Sequence, residues 1–209
     1  MPRDTPTSRA ISRFECFPVE CRWRISAQSS NLITFHDGWW LYFQLAFLAL
    51  FSVGVNRLDR VRHLIYVAAF VPAAGESGAL LGGTGALVND AVRRNTDGTT
   101  SIPAEHAHEF LYADCTDSLS EWASGLLVPQ QPGHGRGVPQ RIAWTNVEST
   151  YVKCEQDQAL SPALQEQMAL RCTHVVRLPS SHSPFISQPL RLGAVIMKTC
   201  PDLAALATD

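Results

Sequence analysis

The rhythm of apolar and polar positions changes twice along the chain. Residues 1–30 follow neither a two-residue nor a 3.6-residue period and are rich in Arg, Ser and scattered Pro and Cys, which predicts a mostly disordered lead segment. Residues 39–55 then form an uncharged apolar run of 17 residues. Two helical readings fit it. One is a helix buried on all sides in a large core. The other is a short membrane span, with Trp39, Trp40 and Tyr42 gathered at one end as an interfacial belt. Arginines flank both ends, at 22 and 24 before and at 57, 60 and 62 after, so charge sets no orientation.

From residue 57 the pattern becomes regular. Residues 61–71 are a nearly continuous apolar stretch stopped by Pro72, as expected of a strand buried on both faces of a parallel sheet. Residues 72–78 predict a loop, continued by the Gly-rich residues 81–85. Asp97-Gly98 marks a turn. Residues 104–128 predict helix, with Asp117 as a cap before an apolar face of Leu119, Trp122, Ala123, Leu126 and Leu127. Pro129 stops it, and residues 132–139 form a Gly/Pro loop. Residues 149–154 are a second strand. Ser161-Pro162 opens a helix that runs to about Cys172, with cap and proline in their preferred places. Residues 173–178 are a third strand, and a final helix runs from near 188–189 to before Pro201. Strands alternating with helices predict an α/β fold with a mostly parallel sheet flanked by helices.

Composition narrows the class. Hydrophobic residues make up 45% of the 209 and charged residues 17%, with a net charge of −2. This is enough apolar material for one domain core. There is no basic stripe of the kind that binds nucleic acid. The six cysteines are dispersed without a C-x-x-C pair, which suits reduced thiols in a cytoplasmic protein. The first fifteen residues lack the apolar core of an ordinary signal peptide. Membrane association through residues 39–55 is the alternative location. No cofactor-binding or metal-ligating motif is present. His106 and His108 lie two apart, so they face different sides of a helix and do not readily share a metal. Arg93-Arg94 is an isolated surface pair. Trp122 and Trp144 are candidates for a pocket wall, with core packing the plainer role for each. The oligomeric state is left open.

Two positions carry candidate chemistry. Asp157 follows the strand 149–154, and His182 follows the strand 173–178. Ligands of open parallel sheets bind beyond the carboxyl ends of the strands. A carboxylate there fixes one imidazole nitrogen and leaves the other to take a proton. The plainer alternative is a turn aspartate and a loop histidine that never meet.

Three segments sharpen this: residues 62–72 with Gly75-Glu76-Ser77, the strand 149–157, and residues 178–189, which contain Leu-Pro-Ser-Ser-His-Ser-Pro-Phe. Together they resemble the α/β-hydrolase superfamily over about residues 57–209, on the esterase-like branch related to plant hydroxynitrile lyases and methyl-ester esterases. Residues 104–144 resemble the branch's small helical cap, placed at about 80–145. The resemblance implies that Asp157 is the triad acid and His182 the general base. It also implies a nucleophilic serine in a G-x-S-x-G elbow. Counted back from Gly54-Val55, that elbow falls on residues 44–48. Ala46 stands at the nucleophile position, and neither flanking glycine is present. Residues 75–79 have nearly the right spelling, but they follow the wrong strand and are expected to open no helix, so Ser77 is a poor substitute. Residues 31–39 faintly resemble the family's oxyanion strand and turn, which would put His36 and Gly38 at the oxyanion loop. The alternative for that stretch is unrelated sequence.

The expectation is therefore a partial, N-terminally incomplete α/β-hydrolase domain over residues 31–209. Its ancestral activity is hydrolysis of small carboxylic esters by a Ser-His-Asp triad. Its partner is a small apolar, ester-like ligand. The alternatives are a catalytically inactive ligand-binding or membrane-anchored pseudoenzyme, or a hydroxynitrile lyase-like acid–base enzyme.

Overall fold

The computed structural model describes the backbone of four strands near the N-terminus, and residues 61, 63–131, 134–139 and 142–199, the His134 side chain excepted. The early strands are β1 (Ile11–Ser12), β2 (Arg24–Gln28), β3 (Ser30–Thr34) and β4 (Trp40–Gln44). Then follow β5 (Leu64–Val67), α1 (Gly78–Gly82), the short pair β6 (Arg93–Arg94) and β7 (Thr100–Ser101), α2 (Ala104–Leu111) and α3 (Asp117–Ser124). The chain closes with β8 (Ser149–Cys154), α4 (Pro162–Ala169), β9 (His174–Leu178), α5 (Pro184–Ser187) and α6 (Pro189–Thr199).

The main sheet has the order β1-β2-β3-β4-β5-β8-β9. The links from β4 to β9 are all parallel, and those from β1 to β4 are antiparallel. Strands β5 and β8 are buried along their whole length, which is why both read as unbroken β-forming runs. Their side chains feed two cores. Tyr66 and Tyr151 face one, covered by Leu164 and Met168 of α4; Ile65, Val67 and Val152 face the other, covered by Leu192 and Ile196 of α6. Ser161 caps α4 by accepting from Leu164 N, with Pro162 in the first turn, as its sequence predicts.

Four expectations are corrected. Residues 39–55 cannot be one helix, because Trp40–Gln44 is strand β4, in parallel register with β5. Aromatic residues favour strands, and β5 satisfies the backbone that a helix would otherwise pair internally. Residues 45–55 lie outside the described residues. Among those described, no helix is long and apolar enough to cross a membrane. Second, the loop expected at 72–85 contains α1, opened by Ser77, whose Oγ accepts from Leu80 N at 3.1 Å. Third, the face expected for α3 is rotated: Ser120 and Ala123 are buried, while Leu119 and Trp122 are exposed. Small side chains let α3 approach α2 closely, and the larger residues are turned outward. Fourth, Thr116 rather than Asp117 holds the cap position of that helix. Of the residues expected to be disordered, 24–28 form β2, and most of the others lie outside the described residues.

The loop after β5 is held down by charge. Arg171, just past α4, pairs with Glu76 through both guanidinium nitrogens and donates to Val71 O at 2.7 Å. The hydrogen bond to Arg171 is the main reason the Glu76 carboxyl sits below its ordinary value of 4.5. A lowered carboxyl stabilises the fold above that value and stops doing so as pH falls through the folded one. Glu76→Gln is therefore expected to cost about 1 kcal/mol in urea unfolding near pH 7. The difference from wild type should shrink as pH falls below 4.5 and the Glu76 carboxyl takes up its proton. A difference that stays equal across that fall would contradict the assignment.

Candidate active site

The site lies beyond the carboxyl ends of β8 and β9. Their pairing continues past the strands: Glu155 N donates to Leu178 O at 2.9 Å, and Gln156 N to Ser180 O at 3.0 Å. This extension holds the two following loops side by side, and those loops carry Asp157 and His182.

Asp157 is 1% exposed. A carboxylate removed from water needs donors on both oxygens. Its Oδ1 accepts from Ala159 N at 2.7 Å and Leu160 N at 3.0 Å, because the chain turns back over the side chain before α4. Its Oδ2 accepts from Gln165 Nε2 and from His182 Nδ1, both at 2.8 Å. His182 is also buried, and among the described residues nothing hydrogen-bonds its Nε2. With Nδ1 as donor, Nε2 presents a lone pair that can accept a proton, and the charge that results is stabilised by Asp157. The two residues singled out from sequence are thus brought together.

The other sequence candidates divide. Ala46, His36 and Gly38 lie outside the described residues. Ser77 spends its hydroxyl as the helix cap of α1. His106 and His108 both lie on α2, and no cluster of His, Cys, Asp or Glu able to hold a metal occurs among the described residues. Trp144 packs against the main core and donates to Pro72 O at 2.8 Å. Trp122 is not core; it stands 42% exposed on α3. The described thiols are free, and burial pushes Cys115 up to about 11, Cys154 to about 12 and Cys172 to about 11. None of them serves as a nucleophile near neutrality.

Two participants escaped the sequence reading. Gln165, in α4, reaches Asp157 from the core side. Asp114, between α2 and α3, reaches the histidine loop from the cap: it accepts from Ser181 Oγ and from Gln188 Nε2. Burial works to raise Asp114, but the hydrogen bonds from Ser181, Ser187 and Gln188 outweigh it and leave the carboxyl lowered. The cap core also includes Ala159 from the acid loop, with Ile186 from α5 against it. A polar residue flanked at i−1 and i+3 by the apolar Leu164 and Met168 was the available signal for Gln165. Asp114 had none, because the contact joins residues 67 positions apart.

No family model matches the chain. The α/β hydrolase nvfD of Aspergillus novofumigatus is 32% identical over 150 residues, covering 66% of this chain and 59% of the relative. A probable hydrolase of a Phoma species is 25% identical over 150 residues, covering 65% of this chain and 58% of its own length. The chain therefore spans about three-fifths of the curated relatives it matches. A pyrethroid hydrolase from Sphingobium faniae JZ-2 superposes with a TM-score of 0.64 at 22% identity, over 78% of this chain and 72% of that one. Tomato methylketone synthase I, solved with 2-tridecanone, gives 0.65 at 11% identity, over 78% and 70%. Polyneuridine aldehyde esterase gives 0.62 at 12% identity, over 79% and 73%. At these identities the structural matches show a shared fold.

The cap contact is open to test. Asp114→Ala removes the acceptor for Ser181 and Gln188 and should cost about 1–3 kcal/mol of stability in chemical denaturation. It should also speed limited proteolysis within residues 104–128. A variant as stable and as protease-resistant as wild type would show that Asp114 does not tie the cap to the histidine loop.

Proposed function

Because the chain is similar to α/β hydrolases over about 150 residues and shares their fold, we propose that residues 57–209 belong to that superfamily, on its esterase-like branch, and carry the acid–base half of an ester-hydrolysing site and no serine nucleophile. The observation that carries the reading is the buried Asp157–His182 pair, with Nδ1 bound at 2.8 Å and Nε2 unengaged among the described residues. In an intact relative, Nε2 would take the serine proton as Oγ attacks the ester carbonyl. It would then return that proton to the departing alcohol.

Strand β4 supports the placement of the missing nucleophile. It is parallel to β5 and ends at Gln44, so Ala46 follows it by two residues, where a strand-to-helix elbow would begin. A methyl group at that position forms no acyl-enzyme. Loss of a catalytic serine costs on the order of a millionfold in kcat. The ligand we assign is small and apolar, bound beneath the cap beside His182. One structural neighbour was solved with 2-tridecanone, an unbranched ketone, which agrees with that class. The dyad without a nucleophile also supports a second reading, acid–base cleavage of a cyanohydrin. There, Nε2 takes the hydroxyl proton as the carbon–cyanide bond breaks, and returns it to cyanide.

Purified protein treated with a fluorophosphonate probe is expected to show no labelled serine. Ala46→Ser alone should not restore turnover of p-nitrophenyl acetate, because the flanking glycines that allow the tight elbow are absent. Labelling of wild type that disappears in His182→Ala would reveal a working serine and refute the reading. Robust turnover by Ala46→Ser but not by wild type would refute the argument from the glycines.

A further inference from the structure

Helix α4 turns Leu164, Gln165, Met168 and Ala169 toward the sheet. Gln165 is the polar member of that face and is 0% exposed. Its amide does not end in the core but at the acid turn. Its Oε1 accepts from Cys154 N at 2.9 Å. Its Nε2 faces three acceptors: Asp157 Oδ2 at 2.8 Å, Leu160 O at 3.0 Å and Cys154 O at 3.2 Å.

This pattern settles which way the amide points. A backbone N–H can only donate, so the carbonyl end must face Cys154. The NH2 end must then face the carboxylate and the two backbone carbonyls, which can only accept. The result is a directional chain of hydrogen bonds. It runs from the last residue of β8, through Gln165, to Asp157 Oδ2, and meets His182 Nδ1 on the same oxygen.

We propose that Gln165 is the positioning residue of the acid–base pair. Its amide holds the Asp157 carboxylate at the angle that engages His182 Nδ1, and it keeps Oδ2 an acceptor, so that Nε2 stays the basic nitrogen. The inference rests on reading Asp157 and His182 as that pair, but its readout is the state of His182 and not turnover.

Gln165→Glu is the discriminating substitution because the two side chains match in shape. A carboxylate at position 165 would still accept from Cys154 N, yet it would turn an acceptor toward Asp157 Oδ2. Two carboxylates at hydrogen-bond distance share a proton and titrate as a coupled pair. Protonation of the introduced carboxyl would restore the chain, since a carboxylic acid both accepts and donates. Gln165→Met keeps the volume and removes both links.

The experiment follows His182 by nitrogen-15 NMR across pH in wild type, Gln165→Glu and Gln165→Met, with melting curves beside it. In Gln165→Glu, His182 is expected to show an extra ionisation absent from wild type, with the wild-type spectrum regained on its acid side. In Gln165→Met the Nδ1 resonance should shift at every pH. Titrations that match wild type in both variants, whatever the loss in Tm, would overturn the proposal and leave Gln165 a packing residue. A second readout needs no variant. In wild type, the Gln165 side-chain amide should shift in step with His182, and an amide that stays still as His182 titrates would also overturn it. A wild-type His182 carrying its proton on Nε2 at neutrality would instead refute the pair itself.

Discussion

A carboxylate sealed from water dictates the arrangement of the whole C-terminal rim. Asp157 can be buried only if its two oxygens are fully supplied with donors, and the donors come from three different parts of the fold. The turn amides of Ala159 and Leu160 supply one oxygen. The helix that follows and the loop beyond β9 supply the other. Moving any of these elements would leave a charge unpaired in the interior, at a cost of several kcal/mol. The cap rests on the same loops, through Asp114 at Ser181 and through Ala159 in its core. Sheet, crossover helix, histidine loop and cap are therefore fixed by one side chain.

That dependence explains what could be read from sequence. Strand β8 matches its expected bounds, because a strand buried on both faces of a parallel sheet carries an unmistakable β-forming run, and β9, the exposed edge strand, nearly does. The start of α4 was equally plain, because Ser161-Pro162 is a local signal. Asp157 and His182 were candidates because residues just past strand ends share the rim, and the family resemblance of the segments around them raised them above a turn aspartate and a loop histidine that never meet. The misreadings have a common physical cause. Trp40–Gln44 looks helical by hydrophobicity alone, and only its pairing with β3 and β5 makes it a strand. Leu119 and Trp122 look like a core face, yet α3 packs through Ser120 and Ala123. Gln165 and Asp114 act through contacts far apart in sequence, which no local pattern encodes.

The chemistry follows from the same geometry. In the proposed reading, the carboxylate and imidazole are held in full hydrogen-bond register, while Ala46 stands where that reading expects the serine. The groups that prepare an imidazole to accept a proton do not depend on the nucleophile. They are strand ends, turn amides and a buried glutamine, all within residues 149–182. That half of the site can keep its form whatever occupies the elbow.

The central claim is that Asp157 holds His182 by accepting from Nδ1, and the nitrogen-15 spectrum of His182 in wild type beside Asp157→Asn tests it most directly. Ala159 N and Leu160 N would keep the asparagine carbonyl on their side and turn its NH2 toward His182, so Nδ1 would have to accept. The account predicts a proton on Nδ1 in wild type and on Nε2 in the variant. The same tautomer in both proteins would contradict it.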